Sequence, residues 1–208
     1  MPNEDLIRTR RALHAVAEHV LAGPQHRSSG SIELRVSPGG FRTVAEPTLA
    51  VVGTDLVHGG IAYPLSGFTA RELATAVGLE AGAPVDIYGD GGEVSADEPL
   101  SVDAQAARVI ADAYAIGDEA LRLLAPDLEP VLWPEHFDVG IRIDDVNYGV
   151  SPGDSYLPEP YAYVGFDSVP ADDPYWNAPF GVARSTSSFA DVGELRDFFA
   201  DAPRHRPS

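Results

Sequence analysis

The chain reads as an α+β domain in which a mainly antiparallel sheet packs against two main helices and two shorter ones. Three observations predict it. Short alternating strands follow one another with tight connections, and parallel pairing would need long crossovers. Two long stretches carry helical apolar stripes. Strands, helix, long loop, long helix and further strands succeed one another without a composition break or an internal repeat. The expectation is one globular domain over residues 1–203 with a frayed tail at 204–208.

The first helix is expected from about Glu4 to Ala22, with Asn3 as N-cap, acids in the first turn and Gly23-Pro24 as the stop. Leu6, Leu13, Val16, Ala17, Val20 and Leu21 form its apolar stripe. His14 and His19 border the stripe at a spacing that does not share a face, so both read as structural or solvated. "SIELRVS" alternates as a half-buried strand, "PGG" turns the chain, and "FRTVAE" returns. "TLAVVGT" and "IAYPLSG" are further strands joined by "DLVHGG". Thr69 and Glu72 have capping-box spacing and open a short helix ending near Gly78. "EAGAPVDIYGDGGEVSADEP" is a surface loop with a brief strand at Ile87.

The longest helix is expected over about Val102 to Ala125, capped by Ser101, with a stripe of mostly small residues from Ala106 to Leu124. Such residues imply close packing against a sheet or against the first helix. A last short helix begins with the Asp191–Glu194 capping box and buries Leu195, Phe198 and Phe199.

The chemistry-bearing region is Val131 to Val164. "HFDVGIRI" alternates, placing Phe137, Val139, Ile141 and Ile143 on one face and His136, Asp138, Gly140, Arg142 and Asp144 on the other. With Asp144-Asp145 as a two-residue turn, Ile143 pairs with Val146, Ile141 with Tyr148 and Val139 with Val150. The same register sets Arg142 opposite Asn147, Gly140 opposite Gly149 and Asp138 opposite Ser151. A cross-strand glycine pair leaves bare backbone. It is either a slot for a flat ligand flanked by His136, Asp138 and Arg142, or a gap covered by an aromatic ring from Tyr161, Tyr163 or Trp176. His136 and Asp138, two apart on a strand, could act as an oriented general base, or as two metal ligands with Glu135 or Glu159 as the third. A hydrogen-bonded His–Asp pair on a sheet surface is the commoner use of that spacing.

Composition limits the alternatives. The chain has 208 residues, no cysteine and, among its 14 basic residues, no lysine. Thiol nucleophiles, thiolate zinc sites, disulfides, a Walker-A lysine and a Schiff-base lysine, and with it an internal pyridoxal-phosphate anchor, are therefore excluded. A formal charge of -18 opposes binding to nucleic acid or to anionic membranes. No apolar run has membrane-spanning length and the acidic, polar start lacks a signal-peptide core, so the expected location is the cytoplasm.

"LWPEHFDVGI", "NYGVSPGD", "PEPYAYVG" and "WNAPFG" together resemble the motif set of an uncharacterised actinobacterial protein family. More distantly, the whole pattern is similar to a larger bacterial domain family of unknown function. The resemblance implies a shared fold and assigns no role to any residue.

The leading expectation is a small molecule bound in a cleft beside the 137–151 hairpin. His136 and Asp138 would be the catalytic pair if any reaction occurs, with Arg142, Asn147, Asp154, Glu159, Tyr161, Tyr163 and Trp176 as ligand-binding walls. Two alternatives are a metal-dependent hydrolase using His136, Asp138 and Glu159, and a non-catalytic interaction or assembly module. The sequence assigns no cofactor, metal or oligomeric state.

Overall fold

In the computed structural model residues 4–87, 94–166 and 175–205 are described. The chain is α+β, and among the described residues the pairings β1–β2, β1–β6, β2–β3, β3–β4, β4–β5, β7–β8, β8–β9 and β9–β10 of the strands given below are antiparallel. It divides into two compact units, Met1–Asp112 with Leu132–Phe137, and Ala113–Val131 with Asp138–Ser208. Among the described residues no helix is long and apolar enough to cross a membrane.

In the first unit, helix α1 (Glu4–Val16) runs into a π-helical turn, Ala17–Ala22, and on into α2 (Gly23–Ser29). Leu6, Leu13, Val16, Ala17, Val20 and Leu21 are all buried, as the stripe requires. The expected stop at Gly23-Pro24 does not occur. Gly23 N–H donates to the Glu18 carbonyl, a five-residue step that loosens the helix where Pro24 has no N–H to give. The His19 carbonyl is instead taken by Gly82 N–H at 3.0 Å. Pro24 then occupies the first turn of α2, where proline is tolerated, and left-handed Gly30 (φ 79°) ends the helix.

Strands β1 (Leu34–Ser37), β2 (Gly40–Thr43), β3 (Leu49–Val52), β4 (Asp55–His58) and β5 (Ile61–Pro64) form a meander. The connection "DLVH" is itself strand β4. Gly53-Thr54 and Gly59-Gly60 supply two-residue turns on either side of it, with positive φ at all three glycines. Strand β6 (Val131–Trp133) pairs with β1 through Leu34 and Leu132.

Helix α3 (Ala70–Ala76) opens with the reciprocal Thr69–Glu72 capping box. Ile87 lies in a bend, not a strand, and residues 88–93 of that loop fall outside the described residues. Helix α4 (Ala104–Leu124) is capped by Asp103, whose Oδ1 accepts from Ala106 N–H at 2.9 Å, and not by Ser101. Asp103 stands at the spacing that lets a side-chain oxygen reach the third N–H of the helix.

In the second unit, β7 (Asp138–Ile143), β8 (Val146–Ser151), β9 (Tyr161–Phe166) and β10 (Gly181–Ser185) lie in chain order. The hairpin register is Ile143 with Val146, Arg142 with Asn147, Ile141 with Tyr148, Gly140 with Gly149 and Val139 with Val150. Asp144 takes φ 54° in the turn. On the apolar face Val139 and Val150 meet α4 at Gly117. Helix α5 (Val192–Asp201), capped by Asp191, buries Leu195 and Phe199, and the Phe199 ring meets Tyr148 edge-on at 6.1 Å. Phe198, expected in the core, is only partly buried. Arg204 and His205 continue the chain in a short 3-10 turn, and residues 206–208 of the tail lie outside the described residues.

Candidate functional site

Strand parity carries the polar face of the hairpin onto β9, where Tyr163 stands opposite Gly149 and Tyr161 opposite Ser151. The Tyr163 ring fills the glycine gap. A Cβ at Gly149 would lie 2.6 Å from Tyr163 Cζ and Oη, and one at Gly140 would lie 3.6 Å from that hydroxyl. Of the three aromatics able to cover the gap, Tyr163 does so, because cross-strand pairing sets its ring directly over Gly149. Its hydroxyl donates to Asp138 Oδ2.

Beside it, Tyr161 Oη donates to Asp154 Oδ2 at 2.6 Å. Asp154 Oδ1 accepts from the Tyr156 and Leu157 N–H groups at 2.7 and 3.0 Å, which fixes the loop after the Ser-Pro-Gly-Asp turn. Phe180 closes the cluster, with its ring 5.3 Å from Tyr156, 6.0 Å from Tyr163 and 6.5 Å from Tyr161. Leu157, Tyr163 and Phe180 pack on buried Tyr161, Ala178 and Ala183. The polar face of the hairpin is thus the floor of a second, aromatic core. Burial, then the charge and hydrogen bond of Asp138, pushes the Tyr163 phenol well above its ordinary range. Burial and the bond to Asp154 raise Tyr161 likewise. Both phenols are therefore donors at neutral pH, not bases or nucleophiles.

The other expected site residues are spread out. His136 is exposed and belongs to the turn at residues 134–137, within the first unit. Phe137 takes φ 53°, so the strand alternation that would align His136 with Asp138 begins only at Asp138. Arg142 is exposed, its Nη1 donating to Asn147 Oδ1 at 3.2 Å and its Nε to the Asp144 carbonyl at 3.1 Å. Glu159 is exposed. Trp176 is buried edge-on to Phe166 at 5.1 Å. In the second unit the expected residues gather as three pairs, Asp138–Tyr163, Asp154–Tyr161 and Arg142–Asn147. Among the described residues no three His, Asp or Glu side chains come together as a metal-holding group.

A different part of this unit is open. A groove of about 800 Å³ runs between β10 and α5, lined by Tyr175, Asn177, Val182, Ala183, Arg184, Glu194, Asp197, Phe198, Ala200, Asp201 and Arg204. Val182 and Arg184 stand on the β10 face that carries Val164 and Ala162 across the register, which is the α5 side. Glu194, Asp197, Phe198 and Asp201 follow the i, i+3, i+4, i+7 spacing of one helix face. That spacing was the available sequence signal, hidden because Phe198 reads as core and the acids as a solvated surface. Asn177 turns its amide to the outer edge of β10, donating to the Ala183 carbonyl and accepting its N–H, both at 2.9 Å. It blunts an edge strand that would otherwise offer free backbone groups. No protein-family model, curated protein or solved structure matches the chain.

Proposed function

We propose that the chain binds a small organic molecule on its second unit, in the groove between β10 and α5. The observation that carries this reading is the groove itself. At about 800 Å³ it has the volume of a small-molecule site, with Tyr175, Val182 and Phe198 as apolar lining and a few charged groups between them. The 137–151 hairpin then supports the unit instead of walling the cleft, since Tyr163 already occupies the space over Gly149. The reading is of binding and assigns no bond-making step. The setting we propose is the cytoplasm, without a nucleic-acid partner, because a net charge of -18 opposes one. The motif resemblance adds a proposed kinship in fold and no activity.

A thermal-shift screen against a metabolite library tests it, run in parallel on wild type and on Ala200→Trp, which fills the groove from α5. The expected result is at least one compound that raises the wild-type melting temperature by about 2 °C or more and leaves the variant unmoved. A library that stabilises neither protein, or both equally, would refute the site.

A further inference from the structure

Resting on the reading that the β10–α5 groove is a binding site, we propose that its ligand is zwitterionic, an amino acid or similar molecule whose carboxylate is held by Arg184. Arg184 is fixed in advance. Its guanidinium carbon lies 4.7 Å over the Phe189 ring, and its Nε donates to Ser188 Oγ at 3.1 Å. Ser188 is itself held by donating to the Ser185 carbonyl at 2.7 Å. With the guanidinium over the ring and Nε engaged, the two terminal nitrogens remain as a fork, the geometry that matches a carboxylate through two parallel hydrogen bonds. Arg184 forms no ion pair with any described residue, unlike the other cation of the groove.

The remaining charges are largely matched among themselves. Asp201 is paired with Arg204 at 3.5 Å and with His205 at 3.1 Å, and Asp197 with the adjacent Arg196 at 2.8 Å. Glu194 accepts Ala190 N–H through Oε2 at 2.8 Å and forms no ion pair with a described residue. Among the described residues the groove therefore presents one cation and one carboxylate without a charged partner, and a ligand with one group of each sign complements both. A phosphate dianion would face Glu194, Asp197 and Asp201 together. It would also approach a chain whose net charge is -18, a repulsion that a neutral zwitterion does not feel.

The test is titration calorimetry of the full chain with the common L-amino acids. The best binder is then compared with its decarboxylated amine, its N-acetyl derivative and inorganic phosphate. Loss of a charge-assisted, two-bond contact is expected to weaken binding about 10- to 100-fold, both for the amine probe and for Arg184→Ala. The N-acetyl probe should also bind more weakly. Arg184→Lys, which keeps the charge and loses the fork, should fall between wild type and Arg184→Ala, and it carries the test if the alanine variant melts lower. An amine that binds as well as its parent amino acid, phosphate that binds better, or an Arg184→Lys protein with wild-type affinity would overturn the proposal. If no amino acid binds while another library compound is blocked by Ala200→Trp, the zwitterion assignment fails and the groove remains a site. If no compound of any class binds, both fail.

Discussion

His14 shows what a single buried titratable group does to this molecule. Its ring lies parallel to Phe137 at 5.1 Å, and its Nε2 donates to the Pro134 carbonyl at 2.8 Å. Burial lowers its pKa from 6.5 to about 4; the Pro134 bond opposes that shift, and the charges of His19, His136 and Arg10 add to it. With the folded value below the unfolded one, the unfolded chain binds the extra proton between these pH values. Stability is therefore complete above about pH 6.5 and is lost as pH falls towards 4. The difference is worth about 3 kcal/mol in full. Urea unfolding at pH 7.5 and 4.5 should show wild type losing about 2 to 3 kcal/mol more than His14→Gln, the carboxylates common to both cancelling. Equal losses would place the acid sensitivity elsewhere. At this scale the sequence was legible only where periodicity held. It set His14 at the border of a stripe but could not show Phe137, which comes from a distant turn. Parity found Gly140 and Gly149, yet which of Tyr161, Tyr163 and Trp176 covers them depends on the register of β9, and that follows from the loop before it. The His136–Asp138 alignment failed at Phe137, a residue type that gives no warning of a positive φ.

Helix α4 shows how one element is fitted to another. Its small residues implied close packing on a sheet or on the first helix, and in the second unit Gly117 meets the β7–β8 pair. A Cβ there would lie 2.8 and 2.9 Å from Val150 Cγ2 and Cβ and 3.2 Å from Val139 Cγ1. Two effects compete in Gly117→Ala. Alanine favours the helix by about 1 kcal/mol, whereas overpacking a tight contact costs about 1–3 kcal/mol. Val150 is fully buried, and its Cβ is fixed to the strand, so it cannot swing aside as a long side-chain end would. Crowding should win, with a net loss of about 1 kcal/mol. A double-mutant cycle in denaturant checks the cause: Val150→Ala should make Gly117→Ala neutral or stabilising, and additive effects would contradict the contact. The π-helical turn was less visible still. Gly23-Pro24 has the composition of a helix stop, and the helix continues because Gly82 takes up the carbonyl that Pro24 cannot serve.

At the scale of the whole molecule, both units are discontinuous in sequence, and one boundary falls inside α4. None of these boundaries falls in a linker that composition could reveal, although the α+β class and the β7–β8 register follow from the local patterns. Charge, in contrast, is fully readable: 32 acidic residues against 14 arginines. Two opposing effects set its consequence for stability. Local pairs such as Arg11–Glu98 at 2.7 Å and Arg71–Asp97 at 2.6 Å attract, but their side chains are half exposed. Pairs so open to solvent contribute little, so screening them costs little. The excess carboxylates repel one another over longer distances, and the screening length falls from about 30 Å at 0.01 M salt to less than 8 Å above 0.15 M. Repulsion between separated charges is therefore screened far more than contact pairs are. The melting temperature at pH 7.5 should rise by several degrees as sodium chloride increases from about 10 to 300 mM, with most of the rise below 150 mM. A melting temperature that stays flat or falls over that range would mean that the exposed arginine–carboxylate pairs outweigh the repulsion among the unmatched acids.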